Sequence, residues 1–366
     1  MKKVISAGHI CLDITPVFPA GKPVDRLSSL LVPGKLIQME AADIHTGGSV
    51  ANTGLALKIL GCDVTLMGKV GDDGFGMMIR DILSRYGAGG LLTDPGSSTS
   101  YSVVLAVPGL DRIFLHNPGA NDTFTGKDIP ENALEDAALF HFGYPPLMRA
   151  IWENDGAELT ALFRRVKEKG IATSLDLAAV DPHSPAGHAD WEKILSGVLP
   201  WVDFFVPSFE ELCWMLDRER YNRLAAEGRE ITEGLSMEEE ALPLAEKLLA
   251  MGCRIAVIKC GTSGMLLRTA GRETVSGVGS RLGLDADLWC GRKVFQPCFK
   301  ADIVRSGTGA GDTSIAAFLA AVLSGRKPED CIALASAEGA CCVTAYDALS
   351  GLKPLDELEE RIRRGW

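Results

Sequence analysis

Short apolar runs of strand character alternate along this chain with segments of helical period, and that alternation restricts the fold more than any other feature of its 366 residues. The sequence predicts strands over 3–8, 64–69, 102–106, 138–142, 172–176, 204–206, 255–259 and 265–268. Helical periodicity is expected over 49–60, 74–86, 157–169, 210–216, 237–251, 311–323 and 331–346. A helix that crosses over a sheet returns the next strand parallel to the first, so the pattern predicts an α/β fold in three layers, a mainly parallel central sheet with helices on both faces. Two regions break the rhythm. Residues 15–42 are rich in Pro and Gly, and 99–116 alternate apolar with polar; together they predict a small antiparallel sheet beside the main one. A third irregular stretch, 271–300, reads as an excursion of strands and loops.

Charge narrows the partners. Lys and Arg number 37 against 48 Asp and Glu, a net charge of −11, which repels phosphate backbones and argues against nucleic acid as a partner. The longest apolar stretch, 315–323, is too short for the roughly 20 residues a bilayer crossing takes, and Asp13 interrupts the apolar N-terminal run, which reads as a first strand rather than a signal peptide. A cytoplasmic protein with no membrane partner is expected. The ten cysteines contain no C-x-x-C pair and read as reduced, buried thiols.

The segment VRSGTGAGDTSIAAFLAAVLSG, 304–325, carries the most chemistry. Apolar residues at Ile315, Phe318, Leu319, Val322 and Leu323 mark a buried helix face, and Gly307 to Asp312 form a Gly-rich loop opening straight into it. The first amides of a helix lack intrahelical partners and its dipole is positive there, so such a loop suits a phosphate. Asp312, in the first turn, is placed to take the proton of an attacking hydroxyl. A Gly-rich loop also serves simply to turn a chain, and this segment alone does not choose. No P-loop, G-x-G-x-x-G, G-x-S-x-G or H-E-x-x-H occurs. A second segment, HTGGSVANTGLALKILGCDVTLMGKVGDDGFG (45–76), places Gly47, Gly48 and Asn52 at another helix start, suited to the hydroxyls of a polar ligand.

The two segments resemble the signatures of the ribokinase-like (PfkB) carbohydrate kinases, G-G-x-x-x-N…G-x-x-G-x-D-x-x-G and D-T-x-G-A-G-D, the second retained as Thr308-Gly309-Ala310-Gly311-Asp312. VISAGHICLDI, VPSFEEL and VIKCGTSGMLL fall in the family's order over nearly the whole chain. The resemblance implies a single kinase domain over 1–366 with a small β-sheet lid from about 14–46 and 99–117. It implies ATP-dependent phosphorylation of a sugar hydroxyl, usually a primary alcohol. Asp312 would be the base and the amides of Gly309, Ala310 and Gly311 the anion hole. Asp13, Gly47, Gly48 and Asn52 would bind the sugar; Ser208, Gly261, Gly264 and Thr308 would lie near ATP; Glu211 would organise Mg²⁺ through water. An antiparallel lid could pair with a second copy into a homodimer.

The departures are specific. Ser306-Gly307 replaces the motif's Asp-Thr, an Asp that in relatives supports the loop and often a monovalent cation, so a K⁺ site is in doubt. Ser208 replaces the Asn of P-N-x-x-E. Lys259 stands where a small polar residue is frequent, and either reaches a phosphate or points to solvent. The alternatives are a nucleoside kinase with the same machinery, for which Phe18, Tyr101 and Phe114 are a thin aromatic supply, and a non-catalytic binding or regulatory protein.

Overall fold

A computed structural model describes residues 2–19, 24, 26–110, 112–226 and 231–366. In chain order the strands are β1 (Lys3–Gly8), β2 (Cys11–Thr15), β3 (Asp43–Gly47), β4 (Asp63–Met67), β5 (Lys69–Gly71), β6 (Leu92–Asp94), β7 (Tyr101–Leu105), β8 (Ile113–Asn117), β9 (Ala137–Gly143), β10 (Ala172–Leu175), β11 (Phe204–Phe205), β12 (Ile255–Lys259), β13 (Met265–Thr269) and β14 (Lys293–Gln296). Eight of them form the main sheet in the order β14-β13-β12-β11-β10-β9-β1-β4. Every neighbouring pair from β4 to β12 is parallel, and β13 runs antiparallel to both β12 and β14.

Side chains that alternate along a strand must find two cores, and they do. Ile5, Phe140, Phe142, Leu175 and Ile258 face one, covered by the helices Arg149–Glu168, Trp191–Val198, Phe209–Leu216 and Leu242–Ala250. Val4, Leu139, Ala172, Val257 and Leu267 face the other, under Ala310–Leu323, Pro328–Cys342 and Leu355–Arg363. The three layers expected from the alternation are thus present. Among the described residues no helix is long and apolar enough to cross a membrane.

A separate sheet has the order β3-β2-β7-β8, with β2 antiparallel to β3, parallel to β7, and β7 antiparallel to β8. Region 99–116 supplies β7 and most of β8, whereas among the described residues of 15–42 only Thr15 lies in a strand; residues 20–23 and 25 lie outside the described residues, and the expected antiparallel sheet is corrected to a mixed one by the parallel β2–β7 pair. One face of this sheet carries Asp13, Ser102 and His116 in cross-strand register, and the other carries Ile44, Ile14, Val103 and Leu115.

Several expectations are corrected. The N-terminal run is two strands: β1 ends at Gly8, and Asp13 lies on β2 in the small sheet, because the chain leaves one sheet for the other at residues 9–10. The helix expected at 157–169 begins at Arg149, interrupted where Asn154, Asp155 and Gly156 turn left-handed. The last long helix runs over Pro328–Cys342, since Pro328 is accepted in its first turn. Residues 271–300 hold three short helical turns and only one strand, β14, at the sheet edge.

Within Pro328–Cys342 the fully buried Glu338 accepts the Lys353 amide on both oxygens, at 3.1 and 3.3 Å. Burial pushes its pKa up to about 8, with the Lys353 amide and charge opposing. A carboxyl whose folded pKa is raised stabilises the fold as the neutral acid, and that share is lost as pH climbs from the ordinary 4.5 towards 8. Thermal denaturation from pH 4 to 9 should therefore show wild type losing ground to Glu338→Gln between those values and holding level above them. A difference independent of pH would contradict this.

Candidate active site

Parallel strands end on one edge of the sheet, and loops leaving that edge converge on a common crevice. Tyr144 follows β9, Asp176 follows β10, Ser208 follows β11 and Lys259 ends β12. Helix Ala310–Leu323 starts at the same edge, with Asp312 in its first turn and only 3% exposed. Its carboxylate meets three donors. Asn52 Nδ2 donates to Oδ2 at 2.9 Å, Tyr144 Oη to Oδ2 at 2.7 Å, and Thr53 Oγ1 to Oδ1 at 3.1 Å. The first and third come from helix Ser49–Ile59. Tyr144 sits in the left-handed region at φ 68, a cost for a side chain with a Cβ. Burial, then the charge of Asp312, raises its hydroxyl well above the ordinary value, so it remains a donor.

Gly309 caps this helix at φ 75, and a Cβ there would stand 2.2 Å from the Ala348 Cβ. The Thr313 amide closes the first turn on Gly309 O at 2.9 Å, and the Ala310 amide reaches Gly307 O only at 3.4 Å. Among the described residues the Gly309 and Gly311 amides find no acceptor. Ser306 does for the loop what its hydroxyl allows: Oγ accepts the Thr308 amide at 3.1 Å and donates to Thr308 Oγ1 at 3.0 Å. Arg112, beside β8, donates to the same oxygen at 3.3 Å, tying the small sheet to the loop.

A cavity of about 770 Å³ lies between this turn and the small sheet, lined by Asp13, Gly48, Asn52, Thr308, Gly309 and Asp312 among the residues expected from sequence. Gly47 lies beneath the Asp13 carboxyl, whose Oδ2 is 2.2 Å from where a Cβ would be. Burial raises the Asp13 pKa, with Cys11 and Ser102 opposing as hydrogen-bond donors. His9 and His116 also line the cavity, their rings 5.1 Å apart, with His9 Nδ1 and His116 Nε2 unpartnered among the described residues. Burial holds both imidazoles below the usual range, His9 further lowered by His116.

Gly47, Ser208, Glu211, Gly261, Gly264, Ala310 and Gly311 do not line this cavity. Ser208 and Glu211 form a reciprocal cap, Ser208 N to Glu211 Oε2 at 2.7 Å and Glu211 N to Ser208 Oγ at 3.2 Å. Gly261 and Gly264 form the turn between β12 and β13. Lys259 joins this second group: its Nζ bonds Asp176 Oδ1 at 2.7 Å.

Sequence reasoning passed over Thr53, Tyr144 and His9. Tyr144 and His9 each follow a strand at the carboxyl edge, which is the signal that could have found them. In the turn after β8, Asn121 is structural, bonding both the amide and carbonyl of Ile10 at 3.1 and 2.9 Å, whereas Asp122 lines the cavity and accepts the Arg149 amide. Trp152 lines the cavity too.

Gly309→Ala should cost about 1–3 kcal/mol, because it combines a left-handed backbone with a steric overlap. Chemical denaturation measures this directly, and a stability equal to wild type would show that the turn tolerates a Cβ.

The chain is similar to known proteins over most of its length. An uncharacterized sugar kinase of Archaeoglobus fulgidus is 27% identical over 307 residues, covering 81% of this chain and 98% of its own. Fructokinase-2 of Zea mays is 26% identical, covering 87% and 85%. The solved structure of Arabidopsis thaliana ribokinase complexed with ribose and ATP superposes with a TM-score of 0.70 at 19% identity, over 98% of this chain and 97% of that one, a likeness of fold. The family described as pfkB family carbohydrate kinase matches residues 1–354, and this chain belongs to it.

Proposed function

We propose that this carbohydrate kinase uses ATP to phosphorylate a hydroxyl, by preference a primary alcohol, of a sugar or sugar derivative. The observation that carries the reading is the position of Asp312: a buried carboxylate, oriented by three donors, at the helix start whose Gly309 and Gly311 amides lack acceptors among the described residues, and open to the cavity. Asp13, Gly47, Gly48 and Asn52 would hold the acceptor. Asn52 does so while also orienting Asp312. Bound ATP supplies the phosphoryl group. Asp312 takes the acceptor's proton late in the transfer, and the amides of residues 309–311 meet the charge gathered on the equatorial oxygens. Thr308, in the loop itself, and Ser208, Gly261 and Gly264, outside the cavity, would lie near the nucleotide.

The residues suit a Mg²⁺ held chiefly by phosphate and water. No group of three or more potential metal-ligating side chains exists among the described residues, and Glu211 gives one oxygen to its cap, leaving the other for an ion or its water. In this reading the small sheet is the lid, its Asp13–Ser102–His116 face turned to the acceptor. The opposite face exposes Ile44 and Leu115, 37% and 54% accessible, and a second copy packing there would make a homodimer through the lid.

A nucleoside acceptor is the second reading. Phe114 and Trp152 both line the cavity, a fuller aromatic supply than the lid sequence alone offers. Thermal shift with pentoses, hexoses, sugar acids and nucleosides, paired with ADP-coupled turnover, separates the two. The expected result is stabilisation and turnover with sugars; stabilisation by nucleosides alone would reverse the order, and binding without turnover throughout would favour a non-catalytic role.

Asp312→Asn should lower transfer by about 10²–10⁴-fold, the usual worth of a positioned base, with ATP affinity almost unchanged. Turnover equal to wild type would remove Asp312 from the mechanism.

A further inference from the structure

The carboxyl edge concentrates negative charge where a polyphosphate has to enter, and Lys259 stands among those carboxylates. Asp176, Glu211 and Asp312 all act electrostatically on Lys259. The lysine reaches this place because its strand, β12, ends at the crevice: its backbone amide donates to Pro207 O at 2.9 Å, and the residue bridges in parallel to Ser208. Its side chain is 14% exposed, which rules out a strand-end lysine extended into solvent. The chain runs instead along the anion turn. A Cβ on Gly311 would stand 3.6 Å from both Cδ and Nζ of Lys259, so the ammonium lies against the turn whose Gly309 and Gly311 amides find no acceptor among the described residues.

Two roles compete for a lysine so placed. It either neutralises the buried Asp176 and nothing more, or Asp176 holds it ready for an incoming anion. An ammonium carries three donors, and its hydrogen bond to Asp176 occupies one. Burial works against the charged form, but Asp176, then Glu211, outweigh it and raise the Lys259 pKa, so the cation persists. On the same edge burial raises the Asp176 pKa, opposed chiefly by Lys259.

We propose that Lys259 is a catalytic residue of this kinase, its ammonium binding the oxygens of the transferring phosphoryl group beside the Gly309–Gly311 amides, with Asp176 as its positioning residue. The proposal rests on the reading of that turn as the anion hole. As the acceptor oxygen forms its bond to phosphorus, the bond from phosphorus to the leaving diphosphate oxygen breaks, and the acceptor's proton passes to Asp312. Lys259 exchanges no proton; it offsets charge that the three carboxylates would otherwise repel. A compact point charge with free donors suits this task.

The test uses the Lys259→Met/Asp176→Asn pair, which removes the cation without stranding a buried carboxylate, together with Lys259→Arg. Calorimetric titration with a non-hydrolysable ATP analogue and with adenosine reads phosphate recognition apart from turnover. The double variant should bind the analogue about ten-fold or more weakly, the equivalent of at least about 1.4 kcal/mol, adenosine as wild type does, and turn over about 10²-fold more slowly, with partial recovery in Lys259→Arg. Unchanged analogue affinity and turnover would overturn the proposal, as would an equal loss for adenosine, the mark of a merely structural pair. Should the double variant fail to fold, the Lys259 ¹⁵Nζ resonance of wild type decides: it shifts with the analogue and not with adenosine if the proposal holds, and stays fixed with both if it does not. Wild type that forms no ADP with any acceptor would defeat the sugar-kinase reading while leaving the binding comparison to judge Lys259.

Discussion

A carboxylate taken out of water must be met by donors, and the way Asp312 is met organises the rest of the crevice. Asn52 and Thr53 reach it from the helix packed beside it, and Tyr144 reaches it from the end of a central strand. One acid therefore fastens together residues 52, 144 and 312, far apart in sequence. The arrangement holds because the three elements are themselves rigid: the helix face is apolar and buried, and β9 is fully buried along its length. The left-handed backbone at Tyr144 is tolerated in that setting, and it aims the hydroxyl at the acid.

Around this clamp the edge divides into two environments. On the side of the small sheet lie neutral imidazoles, the half-buried Asp13 and aromatic walls, fit for a polyol or its attached group. On the side of β12 lie Ser208, Glu211, the 261–264 turn and the Lys259–Asp176 pair. Between them stands the Gly-rich turn. A group passing from one side to the other has to pass the amides of residues 309 and 311, and Asp312 is next to that path. Arg112 couples the small sheet to the turn through Ser306, so a movement of that sheet bears on the anion site itself.

The layered fold was legible because its causes are periodic. Alternation of two-residue and helical periods marks strands and crossover helices, and strands such as β9 and β12 lie close to where the pattern puts them. The Gly309–Asp312 turn was legible because only glycine meets its backbone and packing demands. What the sequence hid depends on long-range approach. Nothing local separates Tyr144 from a packing tyrosine, or Thr53 from any helical threonine, until β9 and the helix from Ser49 are laid beside Asp312. Lys259 reads as readily as a surface lysine, and only the neighbouring strand ends show it enclosed. The break after Gly8 was hidden because the apolar run continues across it, although the chain changes sheets there.

The account stands on a hydroxyl of a bound acceptor lying between Asp312 and the open amides, which makes nucleotide turnover conditional on that acceptor. The most direct test is the stoichiometry of a reaction containing wild-type protein, Mg²⁺-ATP and an acceptor that stabilises the protein, with ADP and phosphomonoester both counted by phosphorus NMR. The two should rise in equal amounts, with ADP nearly absent when the acceptor is left out. ADP formed at the same rate without the acceptor, and inorganic phosphate in place of the ester, would contradict it.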